Sequence, residues 1–250
     1  MRATLRLTAA STKQLLRSRE FVFTMVVYPA LSLALLALFR SLQLETSLGS
    51  TSLTNLWITG WLILLVALGN GHAFLALIAT YKSTGVLKQL SVMPVSPAQL
   101  IAAEVIPRAT MGMLTFVAVI VAGRALGATV RLGPQLLALV PVLAVITAIG
   151  LSWAFVIAGL AKSPQDANAL DSYASFPLYL FTGAMLPLAA FPGWLQQIAQ
   201  VIPYTGLIET MRGVALDGRP LSAFGPELAV AGVWLVLLGA AATRAYRFVR

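Results

Sequence analysis

The residues able to do chemistry are few and scattered. The 250-residue sequence holds one histidine, His72 in the run GNGHAF, no cysteine, and eight acids. A lone histidine inside an apolar run has two readings. It is a functional site, because polar groups in lipid are costly, or it is a neutral imidazole bonded to a neighbouring helix or to backbone. It cannot anchor a multi-histidine metal site. The lack of cysteine excludes disulfides, thiolate metal sites and cysteine nucleophiles, and says nothing about compartment.

Three pairs of charged residues stand out. Glu104 and Arg108, at i,i+4, share a helix face and read as a surface pair holding a span at its depth. A part in relaying movement is the sharper alternative. Glu209 and Arg212, at i,i+3 in IETMRG, are expected to form an ion pair that ties down the return helix of a hairpin, with Asp217–Gly218 as the following turn. Asp166 and Asp171 are five apart and share a helix face poorly, so Asp166 is expected near a helix cap. No acids and histidines cluster at ligand spacing, so neither a metal site nor catalytic residues are expected. Trp57, Trp61, Phe176, Tyr179, Phe181 and Met185 could line a hydrophobic substrate path, as could His72. Interfacial anchoring and packing explain the aromatic residues as well.

The elements that must position these residues follow from hydropathy. The chain is 59% hydrophobic and 10% charged, with mean hydropathy +0.88. A soluble domain of this length needs more charge to cover its surface. About 20 apolar residues cross a bilayer core. Expected spans are Phe21–Phe39, Trp57–Thr80, Ile101–Gly123, Gln135–Ala161 and a last one from Pro226 to about Thr243. The first is too long for a signal core and lacks a cleavage pattern, so it reads as a retained span. Between the fourth and last lies a long apolar stretch, Ser172–Ile208, interrupted by Pro177, Pro187, Pro192 and Pro203, with FPGW as a turn.

Charge decides how that stretch is read. The formal net charge is +9, which in a lipid-embedded chain marks span ends facing the cytoplasm and anionic lipid, not nucleic acid. With six spans, only Arg40, Arg124, Arg131, Arg212 and Arg219 of the 17 basic residues fall outside. A seventh span would place the tail TRAYRFVR outside, against the positive-inside bias. The expected fold is therefore all-α and membrane-integral. It has six transmembrane helices with both termini cytoplasmic, an amphipathic interfacial helix over residues 1–20, and a partly re-entrant hairpin over 177–212. Residues 1–250 read as a single transmembrane domain.

The polar segment YKSTGVLKQLSVMPVSPAQL, residues 81–100, is cytoplasmic in this topology. Val86, Leu87 and Leu90 make one apolar face of a short helix and Lys88 points outward. Pro94 stops it. Ser96 and Pro97 suit the N-cap and first position of the next helix. A mere connector needs no exposed apolar face, so something cytoplasmic is expected to cover this one.

Here the sequence resembles a family. Residues 81–104, YKSTGVLKQLSVMPVSPAQLIAAE, are similar to the first cytoplasmic loop of ABC-2 type transporter permeases. That loop commonly reads as a charged residue, two others, Gly-x-Leu-Lys, a hydrophobic pair and Pro-Val-Ser. Leu180–Gly218, ending PYTGLIETMRGVALDG, is similar to the family's span-5 hairpin and the Pro-x-Thr-x-x-x-acid-x-x-Arg-Gly that follows it. The resemblance covers nearly the whole chain and is nearest to bacterial drug-, antibiotic- or glycolipid-export permeases. Lys82 and Ser83 depart from it, since relatives often carry an acid–basic pair such as Glu-Arg there.

The resemblance implies that the 81–100 loop is a coupling helix, with Gly85, Val86, Leu87, Lys88 and Leu90 docking in a separate ABC ATPase. The chain has no Gly-x-x-x-x-Gly-Lys-Ser/Thr, so no cofactor is expected in it, and ATP and Mg would bind the partner. A second permease chain, identical or homologous, would complete the transporter in a bacterial cell membrane. Two other functions stay in view. A lipid-modifying membrane enzyme needs clustered acids or a nucleophile–base set. An ion-coupled carrier favours inverted repeats and charges within spans.

Overall fold

The computed structural model describes residues 2–19, 23–41, 47–48, 51–85, 97–184 and 187–248. The architecture is all-helical apart from one short antiparallel pair. In chain order it runs α1 (Arg2–Arg17), a π-helical turn (Phe23–Val27), α2 (Tyr28–Ser41), the pair β1 (Ser47–Leu48) and β2 (Thr51–Ser52), α3 (Leu53–Ser83), α4 (Pro97–Ala125), a 3-10 turn (Pro134–Ala138) and α5 (Leu139–Leu160). Then come α6 (Pro164–Phe181), a 3-10 turn (Leu188–Ala190), α7 (Gly193–Val201), α8 (Pro203–Ala215), another 3-10 turn (Leu221–Phe224) and α9 (Gly225–Phe248).

Helix ends follow local chemistry. Ser52 caps α3 by accepting from Asn55 N, and Gly85, at φ 74°, takes the left-handed turn just past its end. Pro97 opens α4, Pro164 α6 and Pro203 α8, where a missing N–H costs nothing. Ser163 caps α6 by accepting from Asp166 N, and Asp166 Oδ2 accepts from Lys162 N.

Three stretches among the described residues are long and apolar enough to cross a membrane: Ala103–Ala125, Pro134–Leu160 and Leu221–Arg244. Helix α3 has 31 residues, about 46 Å at about 1.5 Å per residue. Helix α5 is central. It packs most extensively against α3 and α9 and also meets α4, α6 and α8. Its Leu143, Ile146 and Ile149 sit in one apolar core with Ile58, Ile120, Leu207 and Met211. A second cluster, around Phe74, Leu75, Ile78, Phe155 and Ala158, lies toward the end of α3 that leads into residues 84–96.

The proline-rich stretch needs correction. Pro177 was expected to break it but lies inside α6, which runs on to Phe181. The chain turns at residues 182–184, where Gly183 has φ 74°. Pro187 and Pro192 precede the following 3-10 turn and α7. Helix α8 packs into the interior. Tyr204, Leu207, Ile208, Met211 and Val214 are all buried.

Candidate functional site

Val86, Leu87, Lys88 and Leu90, expected from the sequence to dock in an ATPase, lie outside the described residues; Gly85 is the last described before them. What leads into the loop is well defined. Lys82, in the last turn of α3, is half-buried and donates to Ala158 O at 3.0 Å, Gly159 O at 3.3 Å and Ala161 O at 2.7 Å. Its partners are backbone carbonyls at the end of α5. Tyr81 joins α1, its hydroxyl accepting from Gln14 Nε2 at 3.0 Å.

The one histidine is part of a polar cluster. His72 Nδ1 pairs with Asp171 Oδ2 across α3 and α6. His72 Nε2 meets the Tyr179 hydroxyl at 2.8 Å. Asp171 Oδ1 accepts from Trp153 Nε1 and from Ser175 Oγ, each at 2.9 Å. An acceptor-only carboxylate against Nδ1 requires a proton there, and Nε2 shares the second bond with the Tyr179 hydroxyl. Asp171 is 4% exposed, and three donors compensate its burial. The second reading of His72, a bond to a neighbouring helix, matches this arrangement.

Glu104 and Arg108 form their i,i+4 pair in the interior, not on a helix surface. Arg108 is 1% exposed. Its guanidinium stacks 4.6 Å from the Phe74 ring centroid, and Ser11 Oγ donates to Glu104 Oε2 at 3.0 Å. The pair thus fixes α1 as well as α4. In α1, Leu15 is buried against Met111, while the next residue, Leu16, is 55% exposed.

The expected Glu209–Arg212 ion pair does not form. Arg212 turns toward α3, donating through Nε to Thr59 Oγ1 at 3.1 Å and through Nη2 to Leu56 O at 3.5 Å and Ala184 O at 3.3 Å. An arginine fork satisfies several fixed acceptors at once. Arg212 thus ties α8 to α3 and to the turn after α6 through a threonine hydroxyl and two backbone carbonyls.

Of the substrate-path residues, the structure brings His72 and Tyr179 together. Phe176 is 66% exposed on α6. Phe181 packs edge-on against Phe191, centroids 6.1 Å apart. Trp57 donates to Ser32 Oγ at 2.7 Å, an anchoring role between α2 and α3. Met185 and the side chain of Trp61 lie outside the described residues. Sequence reasoning missed Asn55, which joins Thr129 through both its amide groups at 2.7 and 3.0 Å. It is a polar residue at the start of an otherwise apolar helix, and that was the signal available.

The family model described as ABC-2 type transporter matches residues 2–216. Two curated relatives, from two strains of Mycobacterium tuberculosis (CDC 1551 / Oshkosh and ATCC 25618 / H37Rv), each carry the name "Probable doxorubicin resistance ABC transporter permease protein DrrC". Each is 28% identical over 168 residues, 63% of this chain and 59% of the relative. The chain thus spans less than two thirds of the length of these curated relatives.

Proposed function

Because this chain belongs to the ABC-2 type transporter family, we propose that it is the membrane-spanning subunit of an ATP-driven exporter. The family match over residues 2–216 carries the reading. The cargo is a hydrophobic or amphipathic compound, such as a drug, an antibiotic or a lipid-linked molecule. The name of the mycobacterial relatives supports the drug class. The chain resides in a bacterial cell membrane with both termini cytoplasmic. It has six spans, an interfacial helix over 1–20, a coupling loop over 81–100 and a partly re-entrant hairpin over 177–212.

Transport proceeds by alternating access. ATP and Mg close a pair of separate ABC ATPase subunits. Their clefts press on the helix of Gly85, Val86, Leu87, Lys88 and Leu90. Two permease chains, identical or homologous, then rock about their shared interface. His72, Phe176, Tyr179 and Phe181, with Trp61 and Met185, line the cargo path. Glu104, Arg108 and Arg212 hold the architecture.

Purification with and without a co-expressed ABC ATPase tests the reading. The chain alone should hydrolyse no ATP, and the pair should co-purify with turnover in the partner. Robust ATP turnover by the chain alone, or no association with such an ATPase, would sink it.

A further inference from the structure

Lys82 makes a contact that its position in the sequence does not announce. It lies three residues before Gly85, where α3 ends and the loop begins. Its acceptors, the carbonyls of Ala158, Gly159 and Ala161, sit at 3.0, 3.3 and 2.7 Å. The last carbonyls of an α-helix have no N–H partner within it and carry the negative end of its dipole. An ammonium has three N–H groups and no acceptor. Lys82 thus caps α5 from a neighbouring helix and uses its full donor set to do so.

The cap is continuous with a stiff joint. Only residues 161–163 separate α5 from α6. Lys162 N donates to Asp166 Oδ2 at 2.8 Å, Asp166 N to Ser163 Oγ at 3.1 Å, and Ala167 N to Ser163 O at 2.9 Å. The first turn of α6 is therefore bonded back onto the residues that follow the capped carbonyls. Farther along, His72 of α3 meets Asp171 of α6. Helices α3, α5 and α6 are thus tied together at two levels. The rest of the contact between the ends of α3 and α5 is apolar, Ile78 and Ala79 against Ala158 and Ala161 in one cluster. Such packing is non-directional and resists sliding less than three directed bonds do.

We propose that Lys82 is the positioning residue that carries movement of the loop beginning at Gly85 into α5 and α6. This rests on the exporter reading, in which the partner ATPase moves that loop. Rigid elements joined by hydrogen bonds transmit a displacement only where the joint holds. Among the described residues, the hydrogen bonds that join the end of α3 to the end of α5 come from this one side chain.

The test uses the full chain with its partner ATPase in lipid nanodiscs. The sequence has no native cysteine, so nitroxide pairs can be placed at Thr84 and Gln165, and at Thr84 and Asp217. All three positions are exposed. Distances are read without nucleotide and with a non-hydrolysable ATP analogue. In the wild type, Thr84–Asp217 should shift while Thr84–Gln165 stays fixed within the width of its distribution. In Lys82→Met, Thr84–Gln165 should shift by an amount comparable with the Thr84–Asp217 change. Lys82→Arg, which still donates to carbonyls, should restore the fixed distance. A residue that merely stabilised the fold would lower thermal stability without making this distance respond to nucleotide. A fixed Thr84–Gln165 distance in Lys82→Met, or a shifting one in the wild type, overturns the inference alone. No Thr84–Asp217 shift in the wild type also overturns the inference, because no movement then enters the chain for Lys82 to carry; the exporter reading fails separately, if no ABC ATPase associates with the chain.

Discussion

His72 and Asp171 meet across two helices from positions 99 residues apart, and each settles the other's chemistry. The carboxylate fixes the imidazole tautomer, and the imidazole supplies one of three donors that keep a buried acid paired. Breaking a buried pair by removing one partner costs about 3–5 kcal/mol, and losing one neutral hydrogen bond about 0.5–1.5 kcal/mol. Asp171→Ala should therefore destabilise most, because it orphans His72, Trp153 and Ser175 together. His72→Ala should cost less, since that side chain is 44% exposed, and Tyr179→Phe least. Thermal unfolding of the purified variants in detergent gives the order. A Tyr179→Phe loss equal to that of Asp171→Ala would show that the cluster is not organised around the carboxylate.

Gly60 permits the closest approach between α3 and the turn after α6. A Cβ at residue 60 would lie 2.7 Å from the carbonyl carbon of Ala184, and the same carbonyl oxygen accepts from Arg212. Backbone cannot move aside as a flexible side chain can, so Gly60→Ala should cost about 1–3 kcal/mol of overpacking. Gly232→Ala, with nothing within 4 Å of its Cβ position, should be near neutral. Unfolding midpoints of the two variants decide it, and equal midpoints would mean that the turn yields freely.

What the sequence made legible was what lipid enforces. Span length and basic bias follow from bilayer thickness and interfacial charge, so α4, α5 and α9 fall close to where hydropathy places them. What it hid were partners distant along the chain. Asp171 shares a helix face poorly with Asp166, and two of its three donors, His72 and Trp153, come from α3 and α5 and so leave no local trace. Arg212 reads as the local partner of Glu209 because i,i+3 spacing is visible and the Ala184 carbonyl is not. Lys82 reads as a departure from a family pattern because backbone acceptors leave no trace in residue type. Pro177 reads as a break, yet a helix in a packed bundle tolerates proline where neighbours hold it.

Topology can be checked with an impermeant thiol reagent on intact cells. The structure guides where the probes go. Ser11 is buried against Glu104, so a cysteine there would be silent on either side, and Gly127 and Gly218 have positive φ. Lys13, Leu132 and Asp217 are exposed and free of those faults. Cysteines at Lys13, Ser83 and Arg250 should be shielded, and those at Leu132 and Asp217 should label. Labelling at Arg250 would require a seventh span.

Leu87 tests whether the loop is a docking element or a connector. Val86, Leu87 and Leu90 share one face of the helix expected from the sequence, and Lys88 faces away. Truncating a buried interface anchor typically costs about 1–4 kcal/mol, and an unpaired buried charge costs more. Leu87→Asp should therefore lower ATPase association by at least about tenfold, the equivalent of about 1.4 kcal/mol, and stop export. Membrane insertion should survive, because residue 87 falls between α3 and α4 and outside both. Lys88→Ala, on the opposite face, should change association little. Pull-down of the partner ATPase, read beside the amount of chain in the membrane fraction, separates these effects. Equal losses at Leu87 and Lys88 would refute the assigned face. Normal association of Leu87→Asp would reduce the segment to a connector, and the push from the ATPase would then have to enter the bundle elsewhere.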